Sequence, residues 1–200
     1  RGDGIGRYIE QLLQHVLPFD TVNEYVVFLP TQSPPLSVLE NDRVQKVFTG
    51  IPWYSLQEQI HFSRLIAKQK VGLMHFPHWN VLVMYRQPFV VTIHDLTMFH
   101  YPRPDATTLS PLTYWIKDRA HRYVVHQAVK AARHIITASE WTKQDVYETL
   151  NIPREKMTTI YQAPSKISQI VSSTDWSLIQ KKYGIHRPYI LYVGAAYPHK

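Results

Sequence analysis

The sequence predicts an α/β fold, a mostly parallel sheet with helices on both faces. Three observations carry that prediction. Strand-like and helix-like segments alternate along the chain. The strand-like runs are short, apolar and rich in β-branched residues. The segments between them repeat their apolar residues at helical spacing.

Element by element, Tyr8, Ile9, Leu12, Leu13, Val16 and Leu17 fall on one face of a helix. Tyr25–Leu29 reads as a short buried strand and 44–48 as a second with alternating character. Residues 55–68 have helical propensity and lead to a strand at 71–76. Residues 89–94, Phe-Val-Val-Thr-Ile-His, are the clearest strand of the chain. Leu112, Trp115, Ile116, Ala120, Tyr123, Val124, Ala128 and Ala131 mark one long helix by their i+3/i+4 recurrence. A strand at 134–138, a helix at 140–150 and a strand at 157–161 follow. The Ser- and Pro-containing stretch 162–174 reads as a linker, with a short helix at 176–183. Residues 189–194 read as a strand running into a glycine turn, the start of a further βα unit. The opening Arg1-Gly2-Asp3-Gly4-Ile5-Gly6 is a glycine-rich loop with no strand before it, so both ends are expected to lie inside a longer protein.

Composition removes several function classes. Apolar residues at 44 % and aromatics at 12 %, with only 18 % charged, suit a chain of 200 residues that buries a core rather than a disordered one. With no cysteine, disulfide scaffolds, thiolate nucleophiles and Cys-based zinc sites are excluded. No apolar run approaches the roughly 18 residues that span a bilayer. Lys and Arg number 22 against 15 Asp and Glu, a net charge of +7. Lys117, Arg119, Arg122, Lys130 and Arg133 decorate the long helix, with Asp118 placed to pair with Arg122. That face reads as solvated, with attraction to an anionic membrane surface as its second reading. No nucleic-acid-binding motif is present, and nucleic acid is not an expected partner. The expected setting is cytoplasmic, peripheral at the inner face of the membrane.

In open α/β sheets ligands bind beyond the carboxyl ends of the strands, and the candidate residues gather there. Gly4 and Gly6 precede an amphipathic helix, so backbone N–H groups and the helix dipole could face a phosphate; the plainer reading is a turn needing positive φ. His94 and Asp95 end the strongest strand, where an imidazole can contact a substrate hydroxyl or developing charge while Asp95 caps the next turn. His75 and His78 end another strand and suit contacts at a cleft edge. A zinc set built from them with His94 and Asp95 would need three or four converging ligands, each supported by further hydrogen bonds; with 11 His scattered along the chain their proximity in sequence is read as chance, and no metal is expected. Ser139 is placed as the N-cap of the helix beginning at Glu140, with a phosphate or sugar contact as the alternative. Trp53, Trp79 and Phe99 could stack on sugars, although core packing is the plainer reading.

Several of these pieces, in order, resemble glycosyltransferase family 4. Gly4-Ile5-Gly6-Arg7-Tyr8 is similar to its glycine loop and first helix. Val91-Thr92-Ile93-His94-Asp95-Leu96, followed by Tyr101-Pro102, resembles its His-Asp segment. Ile135-Ile136-Thr137-Ala138-Ser139-Glu140-Trp141-Thr142-Lys143 resembles its strand–Ser–helix element. Asn151-Ile152-Pro153-Arg154-Glu155-Lys156 resembles its approach to the next strand. Residues 189–194 with Pro198-His199-Lys200 resemble the start of its nucleotide-sugar-binding domain.

The resemblance implies a GT-B fold, two Rossmann-like domains facing a cleft. Residues 1–185 would be the N-terminal, acceptor-side domain without its first strand, and 186–200 the first strand and turn of the C-terminal domain. It implies a retaining hexosyl transfer, mannose-like, from a nucleoside-diphosphate sugar to a hydroxyl of a glycan or lipid-linked acceptor, without a metal or other cofactor. By position, Gly4 and Gly6 would line the cleft near the donor diphosphate, His94 would contact the transferred sugar, and Lys200 would bind the diphosphate. The family often has Arg where His199 stands and another after Val193-Gly194, where this chain has Ala195-Ala196. Its donor-binding glutamate pair would fall beyond Lys200, so these 200 residues alone are expected to be inactive. A sugar-nucleotide epimerase on the same architecture, or a non-catalytic nucleotide- or membrane-binding module, are the alternatives.

Overall fold

A computed structural model describes residues 4–31, 39–52, 54–55, 57–102, 104, 107–163, 173–185, 187–188 and 190. The chain divides into two compact units, 1–161 and 162–200.

Among its described residues the first unit holds six strands, all pairing in parallel: β1 (Tyr25–Pro30) with β2 (Val44–Thr49), and separately β3 (Met74–Phe76), β4 (Phe89–Ile93), β5 (His134–Thr137) and β6 (Met157–Thr159) in that order. Register is continuous through the larger sheet, with Phe76 opposite Val91, Val91 opposite Ile135 and Ile135 opposite Met157. This row forms the centre of the main core with Val125, Val129 and Val146, as expected of parallel strands covered on both faces. Leu13 and Leu17 of α1 (Gly4–Val16) pack with Leu39 and Val44 in a smaller cluster over the β1–β2 pair. Phe28 of β1 meets Phe62 edge to face, with ring centroids 5.1 Å apart.

The expected α/β architecture is present, and most elements fall where the periodicity places them. The helix at Glu140–Leu150, α5, matches its expected bounds, with Ser139 as its N-cap. The expected helix over 55–68 instead starts as a π-helical turn, Glu58–Phe62, and continues as α2 (Ser63–Gln69). β3 is three residues long, not six, because its partner β4 begins at Phe89, opposite Met74. β4 stops at Ile93, opposite the last residue of β5, which leaves His94 outside the ladder. A short helix α3 (Thr97–His100) follows. Gly4 and Gly6 lie inside the first turns of α1 rather than in a loop before it, so neither supplies a positive-φ turn.

The long helix α4 (Pro111–Ala131) departs furthest in its packing. Val125, Ala128 and Val129 are buried, but Leu112, Trp115, Ile116 and Tyr123 of the expected apolar face are exposed. Twenty-one helical residues run about 32 Å, whereas the five-residue strand β4 spans about 17 Å, so the sheet covers only part of the helix. Its C-terminal carbonyls at Val129 and Lys130 accept from the Lys156 ammonium at 3.0 and 2.7 Å.

In the second unit the described helix is α6 (Ser173–Tyr183), closed by Gly184 at φ +65° with Ile185 N–H donating to Gln180 O at 3.0 Å. Residues 164–172 of the expected linker and 189 and 191–194 of the expected strand lie outside the described residues.

Lys70 closes α2 in the left-handed conformation at φ 53°. Lys70→Gly is expected to stabilise the chain by about 0.5 kcal/mol, because the relief of the Cβ clash exceeds the added freedom of the unfolded glycine. Urea unfolding measures this, and a loss of stability would show that the lysine side chain holds the turn.

Candidate functional site

The site is built on the C-terminal end of β4. Thr92 is 1 % exposed, so its hydroxyl must find partners inside the protein. It shares hydrogen bonds with the Tyr8 hydroxyl at 3.1 Å and with Nε2 of His75 at 2.8 Å. Tyr8 sits on α1 one turn beyond Gly4, so this bond ties the start of α1 to the end of β4. The Tyr8 ring also stands edge-on to the His94 ring, centroids 5.0 Å apart.

His94 turns out of the sheet and donates from Nε2 to the Pro77 carbonyl at 2.9 Å. A carbonyl can only accept, so the proton sits on Nε2 and a neutral ring carries its lone pair at Nδ1. The backbone of His94 is held separately, its carbonyl accepting from the Thr142 hydroxyl at 3.1 Å. Thr142 N–H in turn donates to Ser139 Oγ at 3.1 Å, which joins the N-cap of α5 to the residue after β4.

Loop 77–83 carries His78 and Trp79 beside His94. The His78 and His94 rings are near parallel at 6.3 Å, His78 meets Trp79 at 4.6 Å, and Trp79 meets His121 of α4 at 4.3 Å. The loop is fixed from the other side by the π-helical turn. Glu58, 5 % exposed, accepts from Asn80 Nδ2 at 2.9 Å and from the Tyr54 backbone N–H at 2.6 Å. Gln59 Oε1 accepts from Val83 N–H at 2.8 Å.

Burial, with the His94 ring as the smaller contribution, pushes the His75 pKa down to about 4. Burial also lowers that of His121, opposed by Asp118 and reinforced by Arg122. Asp95 is exposed and its carboxylate accepts from Thr97 N–H at 2.8 Å, the capping role the sequence allows. Arg122 is engaged by Asp118, by the Phe99 carbonyl and by the Phe99 ring.

The structure therefore brings together His75, His78 and His94, with Asp95 and Ser139 on adjoining turns and the first turn of α1 tied in through Tyr8. Gly4 and Gly6 are exposed in that turn. Lys200, His199 and Trp53 lie outside the described residues. Among the described residues no group of three or more His, Asp or Glu side chains converges as a metal site. The sequence reading missed Tyr8 and Thr92 as the links beneath His94, and Glu58 as the clamp on loop 77–83. Thr92 could have been found as the one hydroxyl within a run of buried β-branched residues. Glu58 carries no such signal. A groove of about 520 Å³ on the β2–α2 side, bordered by His61, Arg64 and Lys68, shares no residue with this cluster.

The family model for Glycosyltransferase Family 4 matches residues 2–163. The chain belongs to glycosyltransferase family 4. Among curated relatives, the O-antigen chain mannosyltransferase RfbU of Salmonella typhimurium is 25 % identical over 186 residues, 93 % of this chain and 44 % of that protein. Among solved structures, Anabaena Alr3699/HepE in complex with UDP and glucose superposes with a TM-score of 0.55 at 17 % identity, covering 92 % of this chain and 48 % of the other. The chain thus spans a little under half the length of each. The likeness to the Anabaena protein identifies the architecture as that of a GT-B glycosyltransferase.

One consequence concerns pH. Unfolded, His75 titrates near 6.5; folded, near 4. Between these values the unfolded chain binds a proton that the folded chain does not. The contribution of His75 is fully present above pH 6.5 and is lost as pH falls toward 4, about 3 kcal/mol in all. Urea unfolding at pH 7.5 and pH 5 is expected to show His75→Gln losing less stability on acidification than the wild type. An identical loss in both would place the His75 titration elsewhere.

Proposed function

We propose that this chain is the acceptor-side part of a retaining hexosyltransferase. It uses a nucleoside-diphosphate sugar and glycosylates a hydroxyl of a glycan or lipid-linked acceptor. The observation that carries the reading is the family match over 2–163 together with His94 held at the C-terminal end of β4 beside the first turn of α1. The named mannosyl activity of the Salmonella relative supports mannose as the sugar, and the UDP and glucose in the Anabaena structure support a nucleotide-sugar donor.

In such a transfer the bond between the sugar C1 and the diphosphate oxygen breaks, the acceptor oxygen bonds to C1, and the acceptor proton leaves toward the departing diphosphate. Charge grows on the leaving group, so cations and backbone N–H groups preset around it lower the barrier. Lys200 and the first turn of α1, with Gly4 and Gly6 leaving room for close approach, are assigned that role. His94 is assigned to the transferred sugar, its ring kept in place by Pro77 and Tyr8. Residues 1–185 are assigned to the acceptor side and 186–200 to the start of the donor-binding domain, so turnover belongs to a protein carrying both.

Peripheral contact with an anionic membrane forms part of the same proposal. The exposed Leu112, Trp115 and Ile116 on α4 lie beside Lys117 and Arg119, with Arg119 over the Trp115 ring at 5.4 Å. Apolar and aromatic groups rimmed by cations suit a headgroup layer, whereas a second copy would oppose like charges. Among the described residues no helix is long and apolar enough to cross a membrane.

Two experiments test the reading. In a protein carrying this chain and the following domain, assayed with GDP-mannose and UDP-glucose at a temperature where circular dichroism shows the variant folded, His94→Ala is expected to lower kcat about a hundredfold, with Tm lowered by the lost bond to Pro77. Unaltered kcat would remove His94 from the site. In vesicle flotation the protein is expected to favour phosphatidylglycerol over phosphatidylcholine, and Arg119→Glu to weaken that preference several-fold, at about 1 kcal/mol per basic group. Equal partition into both vesicles would remove the membrane contact.

A further inference from the structure

Tyr54 is a bulky residue held at φ 58°, a left-handed conformation that L side chains rarely adopt. Unlike the other positive-φ residues among those described, Lys70, Asn151 and Gly184, it does not terminate a helix. The conformation is held from below. The buried Glu58 carboxyl accepts the Tyr54 N–H through one oxygen and Asn80 through the other, and Glu58 stands at the start of the π-helical turn. A positive-φ aromatic, a buried acidic side chain and a π-helical turn coincide at one place. Strained backbone and π-helical turns of this kind gather at ligand sites.

Tyr54 as a residue is 66 % exposed, and its ring is tilted by 36° against Trp79 with centroids 5.6 Å apart. From Trp79 the rings continue through His78 at 4.6 Å to His94 at 6.3 Å. A row of aromatic faces thus leads from the surface to the histidine assigned to the transferred sugar. A core residue would have no need of an exposed ring, and a turn residue would be better served by glycine.

We propose that Tyr54 and Trp79 form a stacking platform for a neutral hexose ring of the acceptor glycan, with Glu58 as the positioning residue that presents Tyr54. The inference rests on the glycosyl-transfer reading for what the acceptor is, and on Tyr54, Glu58 and Trp79 for where it lies. The apolar C–H face of a pyranose fits an aromatic ring, while its hydroxyls stay toward water and toward His94.

The test uses the 200-residue chain with methyl α-D-mannopyranoside as the probe, titrated to about 100 mM while the Trp indole N–H signals are followed by NMR. The wild type is expected to shift the Trp79 signal, assigned with Trp79→Phe. Tyr54→Phe, which keeps the ring, is expected to behave as the wild type. Tyr54→Gly accepts the backbone conformation and removes the ring, so Tm is expected to hold or rise while the probe binds about tenfold more weakly. Glu58→Gln would set an amide donor against one of its two donor partners and is expected to weaken the probe although Tyr54 is still present. No Trp79 shift in the wild type overturns the platform. So does Tyr54→Gly that lowers Tm and leaves the titration unchanged, since Tyr54 would then be a packing residue. The transfer assay with GDP-mannose separates the two claims. Turnover with an acceptor KM unchanged by Tyr54→Gly overturns the platform and leaves the transferase standing. Probe binding lost in Tyr54→Gly, where the protein carrying the following domain transfers no sugar from GDP-mannose or UDP-glucose, supports the platform and removes the transferase.

Discussion

The arrangement of the site depends on the pinning of loop 77–83. That loop leaves the edge strand β3, which pairs through only three residues and so does little to fix the chain beyond it. Its position comes from polar groups that must be paired once they leave water. The Pro77 carbonyl accepts from His94 Nε2, the Asn80 amide donates to the buried Glu58 carboxyl, and Val83 N–H donates to Gln59. An unpartnered buried group of this kind costs roughly 1–3 kcal/mol, so each bond resists displacement of the loop. The result places His78 and Trp79 against His94 and His121.

A second set of bonds does the same for the backbone around β4. Thr92 is sealed between Tyr8 and His75, and the His94 carbonyl is tied to the cap of α5 through Thr142. The starts of α1 and of α5, which itself follows β5, are therefore both tied to the end of β4, where a parallel sheet presents helix N-termini. The same coupling explains why His75 is kept neutral: it is buried under the hydroxyl it bonds, next to a second imidazole.

The outer half of α4 is a different kind of feature. Its apolar residues keep helical spacing yet meet no sheet, because the helix outruns the strands beneath it.

The sequence by itself determined the alternation of strands and helices, the cap at Ser139, and the place of His94 and Asp95 at the end of the strongest strand. These come from local rules: apolar period, side chains that bond their own helix ends, and β-branched runs. The motifs Gly4–Tyr8, Val91–Leu96 and Ile135–Lys143 were legible for the same reason, being contiguous. The tertiary structure decided everything that depends on partners distant along the chain. The length of β3 is set by where β4 begins, the exposure of Trp115 by where the sheet ends, and the first turn of α1 by its bond to Thr92. Glu58 and Tyr54 show the limit most clearly. The burial of Glu58 depends on Asn80, twenty-two residues away, and only once that carboxyl is fixed can its other oxygen hold the Tyr54 N–H, so neither feature is marked by a local pattern.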